Sequence, residues 1–171
     1  IILMVLATQA FAQPALCTDV KQIDVYRKGV DAVAPHLTKR SFAKVGESWR
    51  EVAKSENEVA TVALEDKTLV RATVTTADDT GDWLLKTSYY YRGDGTLARQ
   101  SEELDTMNGN ARVLRDAYFT CTGELLKRTT RHLDPSTNRP KLPEAGFADH
   151  AAPVYRRARD LPFFRLLTLR R

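Results

Sequence analysis

An internal repeat of 28 residues constrains this chain more than any other feature. The run Tyr89-Tyr90-Tyr91-Arg92-Gly93-Asp94-Gly95-Thr96-Leu97-Ala98-Arg99 aligns with the run beginning at Ala117, placing Tyr90 over Tyr118, Tyr91 over Phe119, Gly95 over Gly123, Leu97 over Leu125 and Arg99 over Lys127. One further step back reaches Leu69 and Arg71, so three Leu-x-basic triplets stand in register. Gly81-Asp82 matches Gly109-Asn110 at the same offset, while the first unit lacks both the aromatic pair and the turn glycine. Self-similarity at a fixed period marks a chain built by setting one supersecondary unit beside another.

Each unit reads as strand, tight turn, strand and looser turn. Gly93-Asp94-Gly95 is strong turn chemistry, because Gly and Asp tolerate the positive φ of narrow hairpins. The flanking runs 83–91 and 111–120 are rich in the aromatic and β-branched residues that strands favour. Short turns make neighbours antiparallel, so the expectation is an α+β fold on an antiparallel meander of about six strands, three hairpin repeats, at 59–64, 68–76, 83–91, 96–104, 111–119 and 124–133. Val70, Ala72 and Val74 share one face by alternation, with Leu126 continuing it, and Arg71, Thr73, Thr75, Lys127, Thr129 and Arg131 fall on the other. That pattern describes one dry and one wet face, and a dry face needs a cover.

Two segments offer one. Val20, Ile23, Tyr26, Val30, Val33 and Leu37 recur at the helical period, Thr18 or Asp19 is placed to cap, and Pro35 to stop the helix. A second amphipathic stretch, Phe42, Val45, Trp49, Val52 and Ala53, reads as another helix or as an edge strand. From residue 134 onward Pro135, Pro140, Pro143, Pro153 and Pro162 make an extended connection, leading to a short helix capped by Asp160. Its Phe163, Phe164, Leu166 and Leu167 are expected to bury, while the arginines of 156–171 stay wet. At 171 residues the whole of 13–171 is expected to be a single domain.

The N-terminus reads as an address. Residues 1–7 are apolar and uncharged, and Ala10-Phe11-Ala12 follows as a small-x-small cleavage site, so residues 1–12 are expected to be a secretory signal peptide, truncated at its start and cleaved after Ala12. The block is far shorter than the roughly 20 apolar residues of a membrane span, so no transmembrane segment is expected after cleavage. Lipid attachment at Cys17 is the competing reading, although Leu16 is larger than the residue that usually precedes such a cysteine. Export to the periplasm or beyond gives the two cysteines an oxidising environment, and Cys17 with Cys121 is then the expected disulfide.

Catalytic and metal chemistry finds little here. His36, His132 and His150 show no ligand spacing, and Asp78, Asp79 and Asp82 around Gly81 read as a turn rather than a calcium loop. Glu102 and Glu103 are adjacent on a strand and so point to opposite faces, a poor geometry for a paired acid and base. Nucleophile-elbow and phosphate-loop sequences are missing, and Arg92-Gly93-Asp94 is explained by its hairpin rather than by cell adhesion. A net charge of +4 without a stacking motif speaks against nucleic acid. No catalytic residue, cofactor or metal is therefore expected.

The recurring Tyr-Tyr/Phe, turn, Gly-x-Leu pattern over 59–133 resembles the MORN-like hairpin-repeat proteins secreted by bacteria, although the MORN unit is shorter and richer in glycine. The resemblance implies a non-enzymatic binding or structural module of the cell envelope. Tyr89, Tyr90, Tyr91 and Tyr118 are the candidate contact surface for an envelope protein, the alternative being that they pack cross-strand. The second functional expectation is a periplasmic carrier holding a small apolar ligand between sheet and helix.

Overall fold

The computed structural model describes residues 13–53, 59–107, 110–142, 144 and 149–168; the expected signal peptide and its cleavage site lie outside them. Helices α1 (Gln13–Thr18) and α2 (Val20–Val33) open the described chain. Eight strands follow: β1 (Thr38–Val45), β2 (Ser48–Val52), β3 (Ala60–Glu65), β4 (Thr68–Ala77), β5 (Trp83–Tyr91), β6 (Leu97–Thr106), β7 (Ala111–Phe119) and β8 (Leu125–Leu133). A short α3 (Phe164–Thr168) comes last. All pairings are antiparallel, in one open sheet of order β2-β1-β3-β4-β5-β6-β7-β8.

The six expected strands are all present, displaced by at most two residues at an end, but the sheet has eight. The extra pair is the segment left open between helix and edge strand. Gly46 at φ +59 closes a two-residue turn that pairs Val45 with Ser48, and β1 uses its other edge to pair with β3. Helix α2 begins as its sequence implies: Asp19 caps it by accepting from the Lys21 amide at 2.8 Å, and Pro35 lies in the 3-10 turn that ends it. Asp160 differs from expectation, capping a 3-10 turn (Ala158–Asp160) by accepting from the Arg157 amide at 3.1 Å, four residues before α3 starts.

Strict alternation fails at three places. Opposite β3, Leu64 faces Leu69 and Ala63 faces Arg71, which leaves Val70 over. Opposite β5, Tyr91 faces Leu97 and Tyr90 faces Arg99, leaving Ala98; opposite β7, Phe119 faces Leu125 and Tyr118 faces Lys127, leaving Leu126. Each extra residue is a β-bulge, which turns two successive side chains to one side. Val70 accordingly packs under α2 with Val30 and Tyr90, while Leu69 and Ala72 belong to the large core on the other face. The single face expected for Val70, Ala72 and Val74 is thus corrected by the bulge between them.

The covers also take opposite faces. Ile23, Tyr26, Val30 and Ala34 of the N-terminal segment pack on Ala98, Tyr118, Val70 and Tyr90. The C-terminal segment lies on the reverse, where Phe163 stacks on Phe42 with ring centroids 5.0 Å apart beside Leu69, Tyr89, Tyr91 and Leu97. Leu69, Leu97 and Leu125 therefore share a face but not an environment: Leu97 is fully buried, whereas Leu125 is 50% exposed. Strand β8 is one of the two sheet edges, and the backbone at Arg156 and Ala158 bonds to Leu97 and Gly95 of the neighbouring hairpin.

Candidate functional site

The four candidate contact tyrosines are all buried, so the exposed aromatic surface expected of them is corrected. Consecutive strand residues point to opposite faces, and the tyrosines hold both covers. Tyr89 donates to the Pro153 carbonyl at 2.9 Å and Tyr91 to the Tyr155 carbonyl at 3.2 Å, fastening the C-terminal segment. On the helix face, Tyr90 donates to Asp31 at 3.0 Å and Tyr118 to Asp24 at 3.1 Å.

A bulge-borne arginine joins each of those carboxylates. Arg71 reaches Asp31 at 3.1 Å; Arg99 pairs with Asp24 and also with Asp116 at 2.6 Å, its guanidinium lying over the Tyr118 ring. Burial raises the pKa of Tyr90, and the neighbouring Asp31 raises it further. Tyr26, whose hydroxyl donates to the Tyr91 carbonyl, is pushed up to about 12 by burial, with Glu65 adding to the effect.

At the turn end of the sheet Cys17 and Cys121 form the expected disulfide, with Cα atoms 4.9 Å apart. Beside it Arg92, only 5% exposed, donates to the carbonyls of Leu16, Leu97 and Phe119 at 2.6–3.1 Å. Burial pulls the Arg92 pKa down, and Asp94 opposes that shift. Buried as the tie between α1 and two hairpin turns, Arg92 is turned away from any adhesion partner, while Asp94 accepts from Thr96 within its turn.

Besides a concavity of about 660 Å³ beside Leu69, Gly95 and Leu167, two concavities have mainly polar side chains at their walls. One is a groove of about 580 Å³ on the helix face beyond α2, lined by Ser41, Thr61, Thr73 and Thr75 with Lys39 and Lys86 at its sides. Both lysines are exposed, and neither is ion-paired among the described residues. The other is a smaller cavity on the opposite face, where the C-terminal segment passes Gln100, Glu102 and Arg115. Glu102 is buried there and accepts from Gln100 and Arg115, while Glu103 faces Arg112 on the reverse side.

The other sequence candidates are structural. Asp78 accepts from the Thr80 hydroxyl and from the Trp83 amide, as a turn residue does, and hydrogen bonds hold its pKa below the usual carboxylate value. His150 stacks on Trp83 with ring centres 4.3 Å apart. Among the described residues no three His, Cys, Asp or Glu side chains gather as a metal site, and no helix is long and apolar enough to cross a membrane. Sequence reading missed Asp24, Asp31, Gln100 and the burial of Arg92. The seven-residue spacing of the two aspartates on the helix that carries Ile23 and Val30 was the signal available for the first pair.

These features define an α+β protein: one open antiparallel sheet, clamped by a helix on one face and an extended segment on the other. Compared with protein-family models, curated proteins and solved structures, the chain matches none.

Proposed function

We propose that the protein is an exported, non-enzymatic binding module of the cell envelope or periplasm, and that it presents the hydroxyl-and-lysine groove of its helix face to an acidic segment of an envelope protein. The observation that carries this reading is the groove itself, where a row of threonine and serine hydroxyls is flanked by the exposed Lys39 and Lys86. Hydroxyls bond a peptide of either polarity, and two cations favour an acidic one. The Cys17–Cys121 disulfide supports export, since such bonds persist in oxidising compartments. The sheet is read as three hairpin units in the manner of MORN-like proteins, supported by the 28-residue spacing of the bulged Val70, Ala98 and Leu126. A carrier of an apolar ligand is the weaker reading, because the contact between α2 and the sheet is filled by Ile23, Tyr26 and Val30.

The test has two arms. Expressed behind a complete signal, the chain should accumulate in the periplasmic fraction with a mass beginning at Gln13; retention in the cytoplasm overturns export. The purified protein should bind a polyglutamate peptide in a salt-dependent manner and lose that binding in Lys39→Glu/Lys86→Glu. An unchanged affinity in that variant overturns the groove.

A further inference from the structure

A second site lies on the opposite face, where residues 149–154 pass over β6 and β7 and enclose a cavity of about 220 Å³. At about 30 Å³ per water this is room for roughly seven water molecules, which suits a small metabolite. Ala117, Ala151, Ala152 and Val154 supply its apolar wall.

Its polar wall is unevenly satisfied. Gln100 is 97% buried, and its Nε2 donates to Glu102 Oε1 at 2.6 Å. Reversing the amide would set its oxygen against that carboxylate, acceptor to acceptor, so the hydrogen bond fixes the orientation. Gln100 Oε1 is then left buried and without a donor among the described residues. Arg115 is engaged through both terminal nitrogens, donating to Glu102 at 3.0 Å, to the His150 carbonyl at 2.8 Å and to Asp149. Arg128 of β8 lines the same cavity, and its side chain bonds to no described residue.

The cavity thus offers an amide oxygen beside a carboxylate and, separately, an unspent guanidinium fork. Glu102 and Asp149 balance Arg115 and Arg128, while Asp116, also in the lining, pairs with Arg99 on the other face, a guanidinium that it shares with Asp24. A ligand bearing both a cation and an anion is matched at each end. We propose that this cavity binds a small free amino acid as its zwitterion, the ammonium donating to Gln100 Oε1 and Glu102 and the carboxylate accepting from Arg128. The short side chain rests on the alanines. This site is independent of the groove on the helix face.

Isothermal titration of the oxidised protein with glycine, L-alanine and L-serine tests it, with acetate and putrescine as single-charge probes. At least one amino acid should bind with Kd below about 1 mM, both single-charge probes at least about tenfold more weakly, and Arg128→Met should weaken the amino acid at least about tenfold. Arg128 is exposed, so that variant keeps the fold. Gln100→Met should show the same loss, and the Arg128 result decides if it does not fold. Binding by none of the three amino acids, equal binding of acetate or putrescine, or an unchanged affinity in Arg128→Met overturns the proposal. Lys39→Glu/Lys86→Glu should bind the amino acid normally, which separates a failure here from a failure of the groove.

Discussion

Asp24 and Asp31 stand seven residues apart on α2, and the tyrosines that bond them, Tyr118 and Tyr90, stand 28 residues apart in the sheet. The two intervals measure nearly the same length. Seven residues of helix rise about 10.5 Å, and strands β5 and β7 are two steps apart, about 9.6 Å. A helix laid across the strands therefore meets the same contact twice, a carboxylate receiving one tyrosine and one bulge arginine. A further step of seven back along the chain reaches Cys17, which is bonded to Cys121 at the next hairpin turn.

That geometry predicts pairwise coupling. Asp24→Asn and Asp31→Asn should each cost about 1 kcal/mol, a value kept low because both carboxylates are about a third exposed. A double-mutant cycle of Asp24→Asn with Arg99→Met should show coupling of about 0.5–1 kcal/mol, and the cross-pair Asp24→Asn with Arg71→Met almost none. Equal coupling in the two cycles would show that the contacts are not separate units.

The disulfide should contribute strongly to stability. It joins residues 104 apart, for which loop-closure entropy gives about 4.7 kcal/mol. Cys17→Ala/Cys121→Ala is expected to lose about 3–5 kcal/mol in urea denaturation, and α1 should lose hydrogen-exchange protection before the sheet does. The native chain should weigh about two daltons less before reduction than after, the mass of two thiol hydrogens.

Alkali should unfold the protein in step with tyrosine ionisation. All six tyrosines have raised pKa values, each chiefly through burial, Tyr26 to about 12. A native pKa above the ordinary 10.0 means that stability is intact below pH 10 and drains away as pH rises from there through the native values. Tyrosinate absorbance should therefore appear together with loss of near-ultraviolet circular dichroism, later than in the urea-unfolded chain. Several tyrosines ionising near pH 10 in a still-folded protein would contradict this.

Much of the fold was legible because turn chemistry is local. Gly93-Asp94-Gly95 and Gly123 mark hairpin tips at φ +79 and +89 for Gly95 and Gly123, and the strands between them follow. The hairpin of the first repeat unit, β3–β4, turns instead on Asp66 and Lys67, both at positive φ, which sequence does not advertise. The bulges were hidden because one extra residue leaves composition untouched while reversing every face beyond it. The same reversal made a single dry side look plausible and concealed that helix and tail lie on opposite faces. The tyrosines were misplaced for a related reason: a hydroxyl suits solvent, yet here each of the four finds a carbonyl or carboxylate inside.

Arg92 should prove the most sensitive position outside the apolar core. Its guanidinium is buried and has no carboxylate partner among the described residues; the donors are instead spread over the carbonyls of Leu16, Leu97 and Phe119. Those carbonyls come from three separate elements, and a planar fork reaches all of them where the ammonium of lysine, a compact point charge, does not. Arg92→Met should leave buried acceptors unpaired and cost about 2–4 kcal/mol in urea denaturation, and Arg92→Lys should recover less than half of that loss. Because the Leu16 carbonyl is held in place by the adjacent Cys17 bridge, the two effects should not add. In the Cys17→Ala/Cys121→Ala background, Arg92→Met should cost at least about 1 kcal/mol less than in the parent. Full additivity would mean that Arg92 and the disulfide secure the turn end of the sheet independently.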